Sequence, residues 1–350
     1  MKRFIVKFVC AALVLAFTAA CGGGGTASSV PDDGSIGGTL VLYSSMTDND
    51  LDNLVAGFGA RYPDVNIEIV NGSAGELTAR IAAEADNPQA DLMWGGLNIA
   101  DGDIHSEIFE HWLSDFENDL PASYRSPNGF YSMTHLSTIV LCVNTELEAE
   151  LGMNITGYAD LLDPRLHGRI VIPDPNSSSS AWNNLSNILT VFGQESEEAW
   201  EYIEEFLANG VVVTSSSSVA FRGVADGEYV VGLTYEDGAS TLLKAGATNI
   251  RMVYPEEGAS AFAFGAAVVR GANNPNAAKA MVNWLMSPEG QTYMGNALGT
   301  LRFTNPNAEY VSPYLPYDHE ITWVTRDIPW LTENRPVILD RWNEIFMRHN

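Results

Sequence analysis

Cysteine is scarce in this chain: Cys10, Cys21 and Cys142 are the only three in 350 residues. They are too few and too scattered for a disulfide framework or a Cys-rich zinc site. Positive charge is scarce too. Eighteen Lys and Arg face 44 Asp and Glu, a formal net charge of −26. So acidic a surface repels phosphate backbones, which excludes a nucleic-acid partner. Charged residues make up 18% and apolar residues 46%. The chain can therefore bury a sizeable core, and disorder is excluded as its main state. Enzyme signatures are missing as well. No G-x-S-x-G, GK[ST], H-E-x-x-H or C-x-x-C occurs, and Gly238-Ala239-Ser240 and Gly258-Ala259-Ser260 lack the second glycine of the first pattern. The six His are dispersed, and His105 and His111, six apart, do not share a helix face. No metal and no cofactor is expected.

At the N-terminus, Lys2 and Arg3 precede an apolar stretch over 4–17 that is interrupted by Lys7 and too short to span a membrane. With Thr18-Ala19-Ala20 before Cys21, it predicts a signal peptide over 1–20. This end resembles a bacterial lipobox, with Thr18 where Leu is usual, and the resemblance implies a lipidated Cys21. An ordinary signal cleaved nearby is the alternative. Residues 21–38, rich in Gly, Ser and Asp, predict a flexible tether. Loss of 1–20 removes three bases and no acid, taking the charge from −26 to −29. Cys142 lies in an apolar run and reads as a small buried hydrophobe.

Beyond the tether, residues 39–45 are an apolar run ending in hydroxyls, as in a strand buried on both faces. A helix follows over 50–62, with Leu51, Leu54, Val55 and Phe58 at helical spacing, and stops at Pro63. Residues 65–70 read as a strand, 77–85 as a helix and 90–94 as a strand. A second series has strands at 169–172, 211–214 and 229–234 and helices at 181–192 and 195–208. Such alternation predicts parallel sheets with helical crossovers. Two longer apolar segments, 136–143 and 262–269, read as crossover strands forming a hinge. A helix is expected over 275–286. Residues 300–350, rich in Pro and Trp, carry no clear pattern.

In open parallel sheets, ligands bind beyond the carboxyl ends of the strands. Polar or glycine residues fill those places here: Ser44 and Ser45; Ser73, Ala74 and Gly75; Trp94, Gly95 and Gly96; Ser177, Ser178 and Ser179; and Ser217. Free N–H groups at helix starts attract anions, so even a very acidic chain can hold a phosphate through local dipoles. The same residues also read as caps: Ser73 with Glu76 fits a capping box, and Ser179 or Ser180 fits an N-cap. Tyr235, Glu236 and Asp237 follow another strand and suit hydroxyls or an amine, although Asp237-Gly238 is equally a turn dipeptide. Trp94 and Trp182 suit stacking on a ligand and equally suit a core. Glu236 and Asp237 would serve a hydrolase as paired carboxylates, but adjacent strand residues point to opposite faces.

Leu42-Tyr43-Ser44-Ser45, Ser73-Ala74-Gly75-Glu76-Leu77 with Arg80, the segment 90–96, Asp174-Pro175 with the serine run and Ala181-Trp182, the segments 223–229 and 233–238, and Pro255-Glu256-Glu257-Gly258 together carry a resemblance. Over about residues 39–300 the chain resembles the solute-binding components of bacterial ABC importers, in the branch of ferric-ion, thiamine, aminoethylphosphonate and hexose-phosphate binders. The resemblance implies an α/β, two-lobed periplasmic-binding-protein fold of type 2, with two parallel-type sheets joined by a two-strand hinge. It places 39–138 and 266–350 in lobe 1 and 139–265 in lobe 2. It implies capture of a small anionic solute by lobe closure, delivery to an ABC permease, an exported and membrane-anchored position, a monomer, and no enzymatic activity. Ferric binders of this branch usually offer two adjacent tyrosines where this chain has Tyr235 alone. The resemblance therefore favours a phosphorylated sugar or a phosphonate. It implies that Ser44, Ser45, Ser73, Gly75 and Ser177 to Ser179 meet the anion and that Glu236 and Asp237 take hydroxyls or an ammonium group. Ferric iron is the alternative solute. A hydrolase, or an adhesin or sensor on the same scaffold, are the alternative functions.

Overall fold

A computed structural model describes residues 36–98 and 104–349. The signal peptide, Cys21 and the tether as far as residue 35 lie outside the described residues. The end of the expected tether belongs to the fold. Ile36 is buried in the core, the Gly38 N–H donates to the Asp64 carbonyl at 3.0 Å, and Gly38 opens β1 (Gly38–Ser44).

Helix α1 (Asp48–Arg61) starts at Thr47. The Thr47 hydroxyl accepts from the Asp50 N–H and the Asp50 carboxylate accepts from the Thr47 N–H, a reciprocal capping box. After β2 (Val65–Asn71), α2 (Ala74–Ala83) begins earlier than its apolar spacing implies, because Ser73 and Glu76 form a second such box. β3 (Leu92–Asn98) ends this first series. β4 (Ser132–Asn144) leads to α3 (Thr145–Glu150), β5 (Ile170–Pro173), α4 (Ser179–Phe192), α5 (Glu197–Ala208), β6 (Val212–Thr214), α6 (Val219–Ala225), β7 (Val231–Tyr235), α7 (Glu236–Lys244) and β8 (Ile250–Val253). β9 (Ala261–Val268), α8 (Pro275–Met286), α9 (Pro288–Leu298), β10 (Arg302–Phe303) and α10 (Ile328–His349) complete the chain.

The strands follow the order β2-β1-β3-β9-β4-β7-β5-β6, with β10 and β8 also paired to β4. β1 is parallel to β2 and β3, and β5 is parallel to β6 and β7. β4 and β9 run antiparallel to their neighbours. β4 is shared between two sheets: as far as Thr138 its partner is β9, and from Ile139 it is β7. The expected crossing at 136–143 is therefore present. The return crossing lies earlier than 262–269, because the ladder of β4 with β9 starts at Ala261 and holds Phe262 in the first sheet.

Two main cores flank this junction. Leu40, Leu42, Leu54, Phe58, Met281 and Leu285 belong to one, and Leu141, Ile172, Leu185, Ile203 and Phe206 to the other. The sequence reading puts all of 266–350 with the first. The structure corrects this for α10, whose Leu331, Ile338, Trp342 and Ile345 are buried in the second core. Each such side chain contributes roughly 1.5–3 kcal/mol by burial, and Arg341 and Arg348 pair with Glu197 and Glu204 of α5.

Candidate functional site

The carboxyl ends of strands from both series converge on one cleft, which holds two adjoining cavities. The inner one has a volume of about 270 Å³. Ser45, Met46 and Thr47 reach it from the end of β1 and Asp50 from the first turn of α1. The middle of β4 supplies His135, Ser137, Thr138 and Ile139. Ser179, Ser180 and Asn183 come from α4, Ser217 from the loop before α6, Tyr235 and Asp237 from the junction of β7 and α7, and Phe262 and Phe264 from β9.

Its polar groups are unequal. The Ser137 hydroxyl donates to Asp237 Oδ1 at 2.8 Å. Burial pushes the Asp237 carboxyl up to about 7; the Ser137 bond resists this, and the charges of Glu236 and Asp50 add to it. Burial raises Asp50 as well, against its bonds to Thr47. His135 stacks on Phe264 with ring centroids 5.9 Å apart, and burial lowers it to about 4, so it is neutral at pH 7. The Thr138 Oγ1 is fully buried in the cavity wall and has no hydrogen-bond partner. A buried hydroxyl left this way costs about 1–3 kcal/mol.

The outer cavity, about 520 Å³, shares Gly96, Ser179, Asn183 and Phe264 with the inner one. Ser73, Ala74 and Gly75 form one wall at the start of α2, with Asn98 from β3. Asn176, Ser177 and Trp182 form the facing wall, with Thr332 and Arg335 from α10. Gly96 has φ +73°, and a Cβ there would lie 2.3 Å from the Ala74 Cβ, so only glycine lets β3 approach the start of α2 this closely.

Ten of the residues expected from the sequence line these cavities: Ser45, Ser73, Ala74, Gly75, Gly96, Ser177, Ser179, Ser217, Tyr235 and Asp237. Five do not. The Ser44 hydroxyl is buried, donating to the Trp94 carbonyl at 2.8 Å and accepting from the Met46 N–H. Trp94 is fully enclosed, its Nε1 donating to Thr134 Oγ1 at 3.1 Å, so it is a core residue rather than a stacking face. Gly95, at φ +87°, packs on Met46 in the irregular turn between Trp94 and Leu97. Ser178 caps α4 and binds Ser217 Oγ at 2.7 Å. Glu236 turns inward to Arg302 at 2.8 Å and accepts from the Tyr254 hydroxyl. Burial works against charge on Arg302, but the Glu236 carboxylate outweighs it and holds the guanidinium protonated. The paired-carboxylate arrangement of a hydrolase is therefore not formed by Glu236 and Asp237.

Sequence reasoning missed Thr47, Asp50, His135, Ser137, Thr138, Asn183, Thr332 and Arg335. The hydroxyls of Ser137 and Thr138 inside an apolar strand were the available signal for two of them. No such signal marks Arg335, which lies far along the chain from every other wall.

Comparison with known proteins bears on this cleft. The family described as "Bacterial extracellular solute-binding protein" matches residues 53–313. A Haemophilus influenzae protein is 29% identical over 317 residues, 87% of this chain and 90% of that one. Iron uptake protein A1 of Synechocystis is 28% identical over 275 residues, 72% of each chain. Among solved structures, the periplasmic binding protein AfuA from Actinobacillus pleuropneumoniae, with fructose-6-phosphate bound, superimposes with a TM-score of 0.74 at 26% identity, covering 88% of this chain and 98% of that one. Among the described residues, no helix is long and apolar enough to cross a membrane.

Proposed function

Because the chain belongs to the bacterial extracellular solute-binding protein family, as a periplasmic substrate-binding protein of an ABC importer, we propose that its solute is a small phosphorylated sugar or a phosphonate. The reading is carried by the inner cavity, where Asp237, Ser137 and Asn183 stand among hydroxyls from both series. Such a lining matches a polyhydroxylated or amino-bearing body. The outer cavity supports an anionic end: α2 and α4 both start there, with small Ser, Ala and Gly side chains that let a phosphate approach the backbone. The likeness to AfuA, solved with fructose-6-phosphate, agrees with this class.

Contacts from both sides of the junction favour a closed arrangement of the two lobes once solute is bound. A permease would then take the solute from the closed form. Cys21, lipidated, would hold the mature protein at the membrane through the tether, and a single copy would suffice for capture.

The relative named as an iron uptake protein supports ferric iron as a second reading. Against it, among the described residues Tyr235 is the single tyrosine on either cavity, and no group of three His, Cys, Asp or Glu side chains could hold an ion. Thermal unfolding decides between them. At a hundred times its dissociation constant, a bound solute stabilises by about 2.7 kcal/mol. Fructose 6-phosphate, glucose 6-phosphate or 2-aminoethylphosphonate should raise the midpoint. A rise with ferric citrate alone would replace the proposed class.

A further inference from the structure

We infer that Arg335, on the last helix, recognises the charge of the solute's anionic group. This rests on the reading of the cleft as a phosphate or phosphonate site and identifies the residue that selects for it. Arg335 lines the outer cavity and, among the described residues, is the one positively charged side chain on either cavity. The residues facing it across the space, Ser73, Gly75 and Asn98, are neutral.

Its position sets it apart. Arg80, Arg165, Arg251, Arg302, Arg341 and Arg348 each pair with a carboxylate. Among the described residues Arg335 forms no ion pair, and of the arginines without one it alone lines the cleft. Its guanidinium lies over the Trp182 ring, 4.8 Å from the centroid. An aromatic face orients a guanidinium and leaves its in-plane N–H donors open, without neutralising it. The fork that remains matches two oxygens of a phosphate or phosphonate.

The helix that carries Arg335 is fixed to one side of the cleft. Asn343 of α10 and Asn176 exchange hydrogen bonds at 2.9 and 3.2 Å. Arg335 therefore keeps its place relative to Asn176 and Ser177, while Ser73 and Gly75 belong to the other series. An anion between them gains contacts from both sides at once, which ties charge recognition to closure.

The test uses the mature chain and three variants: Arg335→Gln, Arg335→Lys and, as a control on the same helix, Arg341→Gln. Calorimetric titration with fructose 6-phosphate and 2-aminoethylphosphonate is read at low and high salt. Arg335→Gln should lose about ten- to a hundredfold in affinity, the worth of a hydrogen bond to a charged group. It should also lose most of the salt dependence. Arg335→Lys keeps the charge without the fork and should fall between. Arg341→Gln should bind as the parent does. Unchanged affinity in Arg335→Gln overturns the assignment and leaves the proposed solute class standing. A loss accompanied by a matching drop in ligand-free unfolding midpoint makes Arg335 a structural residue and overturns it too. A parent protein that binds neither compound overturns the solute class and this assignment together.

Discussion

Asp237 accepts a 2.8 Å hydrogen bond from Ser137 inside the cavity, while Glu236, its neighbour in the chain, reaches Arg302 on the opposite side. One residue is left to meet solute and the other is consumed in holding β10 against α7. The helical start at Glu236 makes the separation, since successive residues there diverge by about 100° around the axis.

Asp237 should make binding depend on pH. Its carboxyl is raised to about 7, so its ionised fraction grows as pH passes upward through neutrality. An ammonium-bearing solute such as 2-aminoethylphosphonate should bind more tightly at about pH 8 than at about pH 6. Titrations of Asp237→Asn should show a flatter profile; the same slope in parent and variant would remove Asp237 from the explanation. In the ligand-free protein the sign is opposite. A raised carboxyl favours the fold while protonated, so its contribution declines as pH rises from about 4 to about 7.

Breaking the Glu236–Arg302 pair should be costly. Both side chains are buried, and removing Arg302 leaves the Glu236 carboxylate as a buried charge, a loss of about 3–5 kcal/mol that urea unfolding of Arg302→Met should show. Glu236→Gln should cost less, because Arg302 keeps its pairing with Asp318. The double variant should lose less than the two single losses added together, because the second change removes the charge that the first one stranded.

Ser44 and Ser179 should separate stability from binding. Ser44→Ala takes one of two donors from the buried Trp94 carbonyl, which keeps the Ser45 N–H at 3.3 Å, and removes the acceptor of the Met46 N–H, so it should destabilise by about 1 kcal/mol with little change in solute affinity. Ser179 is exposed and lines both cavities. Ser179→Ala should weaken solute binding several-fold with an unchanged unfolding midpoint. An exchange of these two outcomes would contradict the placement of the two hydroxyls.

Cys21 should decide where the protein resides. Expressed in a bacterial host, the parent chain should fractionate with membranes and incorporate labelled palmitate. Cys21→Ser should do neither and should appear in the soluble exported fraction. Equal fractionation of the two would leave the N-terminus as an ordinary signal.

What can be read from the sequence follows the range of the interactions involved. Ser73 and Glu76 are three apart, so their capping box and the cavity wall that it starts are visible in a short window. The serine run before α4 is equally local. Strand ends with Ser or Gly locate half of the cleft by the general rule for parallel sheets. The rest depends on long-range pairing. Glu236 looks like a ligand residue until Arg302, 66 residues later, is seen beside it. Trp94 looks like a stacking platform until the Gly95–Gly96 turn folds its ring against Thr134. His135, Ser137 and Thr138 lie in mid-strand, and become cavity residues because β4 changes partners beside them. Arg335 arrives on a helix whose apolar face belongs to the second core and carries no trace of the cleft.

The change of partner along β4 has a mechanical consequence. Backbone torsion between Thr138 and Ile139 is the shortest route by which one half can swivel against the other, since rungs on either side of that peptide belong to different ladders. Ser137, half-buried, lines the inner cavity, with the buried Thr138 and Ile139 beside it. On the proposed reading of closure, a solute bonded to Ser137 would act one residue from the fulcrum, with no relay of intervening side chains, and substitutions at these positions would alter the swing and the grip together.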